Sequence, residues 1–330
     1  MTKYKSTDAM NLQVGSDLFK NNQNTWGLIL SGGEGTRLQP LVAKLYGVER
    51  PKQYCSIVGT RSMLQHTLDR IKSFIPSRQI LAIVNPHHLE FVQEQLTGLA
   101  PENILVQPCD RGTANGILLP LLHIYHRNPD ALVAIFPSDH FIFGEKEFMR
   151  YVARAFHFVS DHRDSIMLLG ISPSKVEPEY GWIEKGEVVD NPWNVKIHQV
   201  KKFWEKPDQS KAEVLFQNGC LWNTLVLVGH IRTFLLQFQN VVPEIFDQLY
   251  HTISLYNPSE RESILNEIYP LLPSINFSKV ILESCADQLC VMEVSDTNWS
   301  DWGNEHRILS DIERLNLKLH EYGVPSISYL

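Results

Sequence analysis

The sequence predicts an α/β fold in which a mainly parallel, mixed sheet is flanked by helices. Short apolar runs that suit buried strands alternate with amphipathic segments of helical spacing. The first such pair is the run "WGLILS" at 26–31 and the segment 62–74, where apolar residues recur on one helical face. Repeated strand–helix alternation is typical of a largely parallel sheet with helices on both faces.

The remaining elements follow the same logic. We expect further strands at 80–85, 131–137, 165–170 and 287–294, and between 180 and 229. We expect helices at 88–96, 115–126, 145–159 and 303–319, and over most of 231–285. Residues 1–25 read as a polar N-terminal extension, 26–310 as the main domain and 311–330 as a C-terminal helix and tail.

Composition excludes several classes of function. The chain has 330 residues and a formal net charge of −7, whereas nucleic-acid binders usually carry a basic excess. Its apolar runs are shorter than the ~18 residues that a membrane span needs, so we expect no membrane partner. Five scattered cysteines without a C-x-x-C pair predict reduced thiols and a cytoplasmic location.

The glycine-rich stretch "LSGGEGTRLQPL" follows the first predicted strand. It lacks the Lys-Ser/Thr pair of a Walker loop, and Leu38 stands where a dinucleotide fingerprint needs its last glycine. Gly32, Gly33 and Gly35 allow backbone N–H groups to approach an anion, and Arg37 adds a cation that can fork onto phosphate oxygens. A tight turn with a solvated arginine is the structural alternative.

Four later motifs carry charged residues that also allow either a functional or a purely structural interpretation. "ERPKQY" presents Lys52, a second cation that suits a polyphosphate, and "FPSDH" places Asp139 at the carboxyl end of a strand, where open α/β sheets bind ligands. "FWEKPD" offers Glu205 and Lys206, and "TNWSDWGNE" offers Asp301. Taken singly, these residues also suit a strand-end turn, a surface ion pair and a helix cap.

Together the motifs resemble those of the sugar-phosphate nucleotidyltransferases, whose signature runs G-G-x-G-T-R-L-x-P-L and then P-K. "PKQY", "PSDH" and "LWN" are most similar to the mannose-1-phosphate guanylyltransferase branch. The resemblance extends in order from about Trp26 to Gly303. It implies a Rossmann-like, glycosyltransferase-A-like nucleotidyltransferase fold.

The resemblance also implies residue roles. The catalytic residues it implies are Arg37, Lys52, Asp139, Lys206 and Asp301. The nucleotide-binding residues are Gly32, Gly33, Gly35, Thr36, Gln53, Thr113 and Ala114. The sugar-phosphate-binding residues are Gly181, Glu205, Lys206 and Asn223. Mg²⁺ is the implied cofactor, held by Asp139 and Asp301. His140 is expected either to orient Asp139 or to pack, and Glu34 either to point away from the phosphates or to bind base or ribose.

The implied reaction converts GTP and mannose 1-phosphate into GDP-mannose and pyrophosphate, and a homodimer is common in the family. The chain departs from the branch at Leu225, where the pattern has Gly, and around Gln107 in the base-reading region. Adenylyl, thymidylyl or uridylyl transfer, to glucose or heptose 1-phosphate, therefore stays open. A catalytically silent, nucleotide-sugar-binding regulatory protein is the alternative from another class.

Overall fold

The computed structural model describes residues 23–318, and strands and helices alternate along this part of the chain. The strands are Thr25–Ser31 (β1), Ile80–Val84 (β2), Ile104–Val106 (β3), Leu132–Pro137 (β4), Phe141–Phe143 (β5), Ile166–Ile171 (β6), Gly181–Val188 (β7), Ile197–Glu205 (β8), Leu221–His230 (β9), Leu289–Val294 (β10) and Asn298–Ser300 (β11). The α-helices are Gln39–Tyr46 (α1), Met63–Lys72 (α2), Leu89–Gln95 (α3), Gly112–Arg127 (α4), Glu145–Asp161 (α5), Gln209–Gln217 (α6), Ile231–Val241 (α7), Pro243–Leu255 (α8), Pro258–Ile268 (α9) and Glu305–Arg314 (α10).

A mixed sheet forms the centre of the described part of the chain. Its nine strands lie in the order β3-β2-β1-β4-β9-β6-β10-β8-β7. The first four pair in parallel, whereas β9 runs antiparallel to both β4 and β6. β8 is also antiparallel to its neighbours β7 and β10. The β6–β10 pair is again parallel. The predicted α/β class with a mainly parallel, mixed sheet is confirmed.

The carboxyl ends of β1 and β4 lie side by side at one edge of the sheet. Leu30 is in register with Pro137, and the N–H of Ser138 donates to the carbonyl of Leu30 at 3.0 Å. The glycine loop and Asp139 therefore leave the sheet at the same place. This is the crevice position at which open α/β sheets bind ligands.

A second, two-stranded sheet lies beside this edge. β5 and β11 pair antiparallel, with Phe141 opposite Ser300 and Phe143 opposite Asn298. The ring of Phe141 also stacks on Trp302, with centroids 4.1 Å apart. Because β5 closely follows Asp139 and β11 directly precedes Asp301, this pairing brings two distant segments together. The sequence reading did not anticipate it, since each strand has only three residues.

Apolar clusters cover both faces of the main sheet. One includes α2 and α5 side chains such as Leu68 and Phe156, and the other includes α4 and α7 side chains such as Leu118 and Phe234. Helix α4 continues through Pro120, although an interior proline costs about 3 kcal/mol. Burying each large apolar side chain of α4 contributes about 1.5–3 kcal/mol, which offsets that cost.

The last described helix runs across residue 310, where the sequence analysis divides the main domain from the C-terminal helix and tail. α10 spans Glu305–Arg314 and so crosses the boundary predicted at 310, because it packs Ile308 and Ile312 into a cluster with α1 residues. Of the predicted N-terminal extension only residues 23–25 are described, and of the predicted C-terminal helix and tail only residues 311–318. Within residues 23–318, no helix is both long and apolar enough to span a membrane.

Candidate active site

The glycine loop is shaped by close approaches of neighbouring chain segments. A Cβ at Gly32 would lie 2.7 Å from Nε2 of Gln107, and one at Gly35 would lie 2.8 Å from the backbone N of Lys52. Gly35 also has a φ of 61°, which favours glycine. Nothing lies within 4 Å of the corresponding position at Gly33. The loop is thus packed closely against neighbouring segments at Gly32 and Gly35 and is open at Gly33.

Two buried amides hold this loop in place. Nε2 of Gln53 donates to the carbonyls of Ser31 and Gly33, at 3.3 and 2.7 Å. Nδ2 of Asn85 donates to the carbonyl of Gly32 at 2.7 Å. Gln53, expected to bind nucleotide, therefore uses its amide N–H groups to brace the loop.

Glu34 lies on the flank of the loop. Its Oε1 accepts a hydrogen bond from Nδ2 of Asn85 at 2.8 Å, and its Oε2 is 3.8 Å from Nε2 of His88. Glu34 is absent from the described residues that line the cleft behind the loop. Of the two expectations for this carboxylate, the structure favours the one in which it points away from the phosphates.

Lys52 joins the segments that carry the two predicted metal-binding carboxylates. Its buried ammonium lies 2.8 Å from Oδ2 of Asp139 and donates to the backbone carbonyl of Asp301 at 2.6 Å. Burial alone would raise the pKa of Asp139, but the charges of Lys52 and His140 and the hydrogen bonds to the carboxylate together outweigh it, and the pKa falls to about 2. Lys52 was expected to hold the triphosphate, and the structure instead places its charge against these acidic segments.

Asp301 is held by three donors. Its Oδ1 accepts from the hydroxyl of Tyr180 at 2.9 Å, from the N–H of Gly303 at 2.9 Å and from Nη1 of Arg307 at 2.7 Å. Burial opposes ionisation of this carboxyl, but the charges of Arg307 and its other neighbours together with the Gly303 hydrogen bond outweigh burial and lower its pKa. Asp301 is therefore a fixed carboxylate at neutral pH.

His140 connects Asp139 to the central strand β9. Its Nδ1 lies 3.1 Å from the carbonyl of Thr224 and 3.3 Å from Nε1 of Trp299, while its Nε2 lies 3.8 Å from Oδ1 of Asp139. Burial lowers the pKa of His140, which favours the neutral ring. The imidazole thus both packs and lies against the carboxylate, so the two expectations for it are compatible.

The predicted sugar-binding residues meet around Gly181. A Cβ at this position would lie 3.2 Å from Oε2 of Glu205 and 3.3 Å from Cβ of Asn223. The missing side chain leaves the space between these two polar groups open. Nδ2 of Asn276 reaches Oε1 of Glu205 at 3.5 Å, and burial raises the pKa of Glu205.

The N-terminus of α4 also lines the cleft. Gly112 has a φ of +77°, and a Cβ there would lie 2.5 Å from the carbonyl oxygen of Ile275. Oγ1 of Thr113 accepts from the N–H of Phe277 at 2.8 Å. Ala114 is buried, and its N–H donates to the carbonyl of Ile275 at 2.9 Å. Thr113 therefore lies at the cleft, whereas Ala114 anchors the helix to the 273–277 segment.

These segments enclose a cleft of about 370 Å³, within the usual range for a small-molecule site. Twelve of the predicted residues line it: Gly32, Gly33, Gly35, Arg37, Gln53, Thr113, Asp139, Gly181, Glu205, Lys206, Asn223 and Asp301. Lys52 and Ala114 lie behind its wall, and the side chain of Thr36 is outside the described part of the chain. The half-exposed Arg37 lies 3.6 Å from Glu179.

Three of the six described non-glycine residues with a positive φ lie in or beside this cleft. Lys206, Leu225 and Trp302 have φ values of 46°, 55° and 42°, in the left-handed region that non-glycine residues rarely adopt. Each lies within two residues of a predicted site residue. Strain of this kind is typical of functional sites, where the surrounding structure holds residues in place for a reason other than stability.

Three contributors to the site escaped the sequence reading. Tyr180 and Arg307 hold Asp301, and Asn276 reaches Glu205 from a segment to which no role was assigned. Tyr180 directly precedes Gly181, a predicted sugar-phosphate-binding residue, so its position was a usable signal. Arg307 lies in an amphipathic helix, where an arginine usually faces solvent.

The nucleotidyl transferase family model matches residues 26–316 of this chain. The chain belongs to this family. Mannose-1-phosphate guanylyltransferase 2 of Escherichia coli O157:H7 is 30% identical over 286 residues, which cover 84% of this chain and 58% of that protein. The alginate biosynthesis protein AlgA of Pseudomonas syringae pv. tomato is 30% identical over 280 residues, which cover 84% of this chain and 56% of that protein. The chain thus spans a little over half the length of the curated relatives it matches.

Solved structures agree on the fold of this nucleotidyl transferase family member. The crystal structure of a mannose-1-phosphate geranyltransferase from Thermus thermophilus has a TM-score of 0.73 at 22% identity, covering 87% of this chain and 80% of that one. A mannose-6-phosphate isomerase from Helicobacter pylori has a TM-score of 0.63 at 19% identity, covering 84% of this chain and 99% of that one. The predicted family and fold are confirmed.

Proposed function

We propose that this protein transfers a guanylyl group from GTP to mannose 1-phosphate and releases pyrophosphate. The main observation behind the proposal is that the glycine loop, the carboxylates of Asp139 and Asp301, and the pair Glu205 and Lys206 all line the same cleft. The names of the curated relatives support GTP and mannose 1-phosphate as the substrate pair. GDP-mannose is the second product.

The cleft has two chemically different ends, which suit two substrates. At one end the glycine loop and Arg37 offer backbone N–H groups and a guanidinium to a triphosphate. At the other end Glu205 and Asn223 lie on either side of the space left by the missing side chain of Gly181. There the carboxylate accepts hydrogen bonds from sugar hydroxyls, and the amide both accepts and donates them. Lys206 adds a cation for the sugar's phosphate. Asp139 and Asp301 also line the cleft.

The acidic residues fit Mg²⁺ as the cofactor. The described residues contain no group of three or more His, Cys, Asp or Glu side chains that could hold a metal ion by themselves. Mg²⁺ in phosphoryl-transfer sites typically takes one or two carboxylates and completes its shell with water and substrate phosphates. Asp139 and Asp301 both line the cleft and both have lowered pKa values, so they provide such a pair. When bound, the ion supplies charge neutralisation at the phosphates.

The reaction needs little proton chemistry from the protein. A phosphate oxygen of the sugar 1-phosphate attacks the α-phosphorus of GTP, the α–β bridging P–O bond breaks, and its electron pair leaves with pyrophosphate. A phosphate monoester has a second pKa near ~6 and is largely a dianion at neutral pH, so the attacking oxygen carries no proton. The obstacle is repulsion between two polyanions.

The chain's own residues meet that obstacle by positioning and by charge. Lys206 holds the attacking phosphate, and Arg37 and the loop amides hold the departing pyrophosphate, where negative charge develops. Lys52 contributes indirectly, since its ammonium contacts Asp139 and the backbone of Asp301 and so ties the two acidic segments together. Phosphoryl-transfer enzymes rely on the same combination of positioning and electrostatic stabilisation.

We further infer a cytoplasmic enzyme that forms homodimers. The five cysteines are all free thiols, and four of them are buried, which supports a reducing compartment. The dimer is inferred from the family resemblance alone. Sedimentation or size-exclusion measurement of the purified chain tests it directly.

The experiment that tests the function is pyrophosphate release with Mg²⁺ and GTP, ATP, UTP or dTTP, each combined with several hexose 1-phosphates. The proposal requires GTP with mannose 1-phosphate to have the highest kcat/KM of the matrix. A different best pair would retain nucleotidyl transfer but overturn the substrate assignment. Binding of nucleotide-sugar without pyrophosphate release from any pair would instead indicate a regulatory protein.

A further inference from the structure

Leu225 is a partly buried apolar residue in the lining of the cleft. It lines the cleft, two residues after Asn223, and the preceding carbonyl of Thr224 lies 3.1 Å from His140. Its φ of 55° places it in the left-handed region, where a leucine is less stable than a glycine because its Cβ crowds the backbone. A large side chain is therefore kept at a position whose backbone conformation favours glycine.

An irregularity in β9 creates this position. Asn223 pairs with Gly170 of β6 and Leu227 pairs with Leu168, so four residue steps on β9 oppose two on its neighbour. The extra residues bulge out of the central sheet between these two pairs. Bulges are common next to active sites, where they redirect a side chain.

Side-chain hydrogen bonds hold the bulge on both sides of Leu225. The N–H of Leu225 donates to Oδ1 of Asn223 at 3.1 Å. Oγ1 of Thr224 donates to the carbonyl of Leu169 at 2.7 Å and accepts from the N–H of Val226 at 3.2 Å. The backbone on either side is thus restrained, and the direction of the leucine side chain is set by the bulge.

We propose that Leu225 is a specificity-determining residue that limits the size of the sugar. Its isobutyl group occupies part of the cleft beside Asn223, so the site takes hexose 1-phosphates that carry only hydroxyl-sized groups at the ring position facing Leu225. Sugars with a bulky group there, such as an acetamido group, are excluded. The inference rests on the proposed function, because it assumes that this end of the cleft holds the sugar.

The size of the leucine side chain makes the proposal quantitative. An isobutyl group has as many non-hydrogen atoms as an acetamido group, so its removal opens space for one such substituent. A single methylene group in a pocket changes kcat/KM by about 10-fold to 200-fold, so the loss of several carbons should change it by about tenfold or more. Only the ring position that faces residue 225 should respond.

The test uses two variants that separate volume from backbone strain. Leu225→Ala removes the bulk but keeps a Cβ in the left-handed region, whereas Leu225→Gly removes both. Pyrophosphate release is measured with mannose 1-phosphate and with analogues that carry one acetamido group at C2, C3, C4 or C6. We expect both variants to raise the kcat/KM ratio of one analogue to mannose 1-phosphate by about tenfold or more over the parent protein.

Asn194→Gly is the matched control. Asn194 is exposed and also has a positive φ, 53°, but it does not line the cleft. Relief of strain at this position should leave the ratio for every analogue unchanged.

Two results overturn the proposal: no analogue gains in either variant, or only Leu225→Gly produces the gain, which would assign the effect to the backbone. Failure of the proposed function is recognised separately. In that case the parent protein prefers another sugar 1-phosphate, and the same ratios are then measured against that sugar.

Discussion

The guanidinium of Arg307 and the carboxylate of Asp301 form a buried ion pair in the wall of the cleft, with Nη1 and Oδ1 2.7 Å apart. Nη2 of the same guanidinium lies 2.7 Å from Glu177 and 2.9 Å from Glu179, and its Cζ lies 4.7 Å from the ring centroid of Tyr180. These acidic partners raise the pKa of Arg307 although burial lowers it. Helix α10 is therefore part of the site and holds one of its two carboxylates.

Replacement of Arg307 should destabilise the protein and lower turnover. Arg307→Gln leaves three carboxylates near a buried position without their cation, and breaking such a pair costs about 3–5 kcal/mol. Arg314→Gln on the same helix removes an exposed pair with Asp311 and should cost less than about 1 kcal/mol. Urea denaturation of both variants measures the difference. Equal losses would show that the Arg307 network contributes no more than a surface pair.

Asp139 should be essential for turnover. Asp139→Asn keeps the shape of the side chain but removes a charge that faces the cleft, so we expect kcat to fall by about 100-fold or more while the circular dichroism spectrum stays native. Asp130→Asn, at an exposed position paired with Arg232, is the control. Near-normal turnover in Asp139→Asn would refute the assignment of this residue as a metal ligand.

Lys52 should weaken divalent-cation binding in the absence of substrates. Its ammonium lies 2.8 Å from Oδ2 of Asp139 and occupies a negative region that a cation would otherwise enter. We expect Lys52→Met to bind Mg²⁺ about tenfold more tightly than the parent protein in titration calorimetry without nucleotide. Lys44→Met, which removes an exposed cation paired with Glu305, should not change the affinity. Unchanged or weaker Mg²⁺ binding in Lys52→Met would contradict the idea that the Lys52 ammonium competes with the metal ion.

Lys206 should act on the sugar phosphate and not on the nucleotide. A charge-assisted hydrogen bond contributes about 1.5–3 kcal/mol, so Lys206→Ala should raise the KM for mannose 1-phosphate by about tenfold or more. The KM for GTP should change far less. Lys201→Ala, at an exposed lysine of β8 that pairs with Glu184 of β7, is the matched control. An effect confined to GTP would assign Lys206 to the other end of the cleft.

Gly112 should tolerate alanine less well than Gly47. Both have a positive φ, +77° and +71°, so alanine costs about 1–2 kcal/mol at either position. A Cβ at Gly112 would also meet the backbone of Ile275 at 2.5 Å, whereas nothing lies within 4 Å at Gly47. We expect Gly112→Ala to lose about 1–3 kcal/mol more than Gly47→Ala in chemical denaturation. Similar losses would show that the segment around Ile275 yields easily.

The elements that were predicted correctly have strong local signals. Apolar runs such as 26–31 and 131–137 are buried strands because they carry no side chain that needs water. The glycine loop and the strand-end Asp139 were located because both depend on residues adjacent in sequence. The three-residue strands β5 and β11 were missed, since segments so short have no periodicity to detect.

The sequence by itself determined the α/β class, the family, and the motifs from which the cleft is built. The tertiary structure decided which of these residues face the cleft and what holds them. Lys52 and Tyr180 both form hydrogen bonds with Asp301, from which they are separated by 249 and 121 positions in the sequence. No local sequence pattern carries information over such separations. The left-handed conformation of Leu225 likewise depends on how β9 pairs with β6. Local propensity specifies elements, whereas the partners of a buried charge are specified only when the chain closes around it.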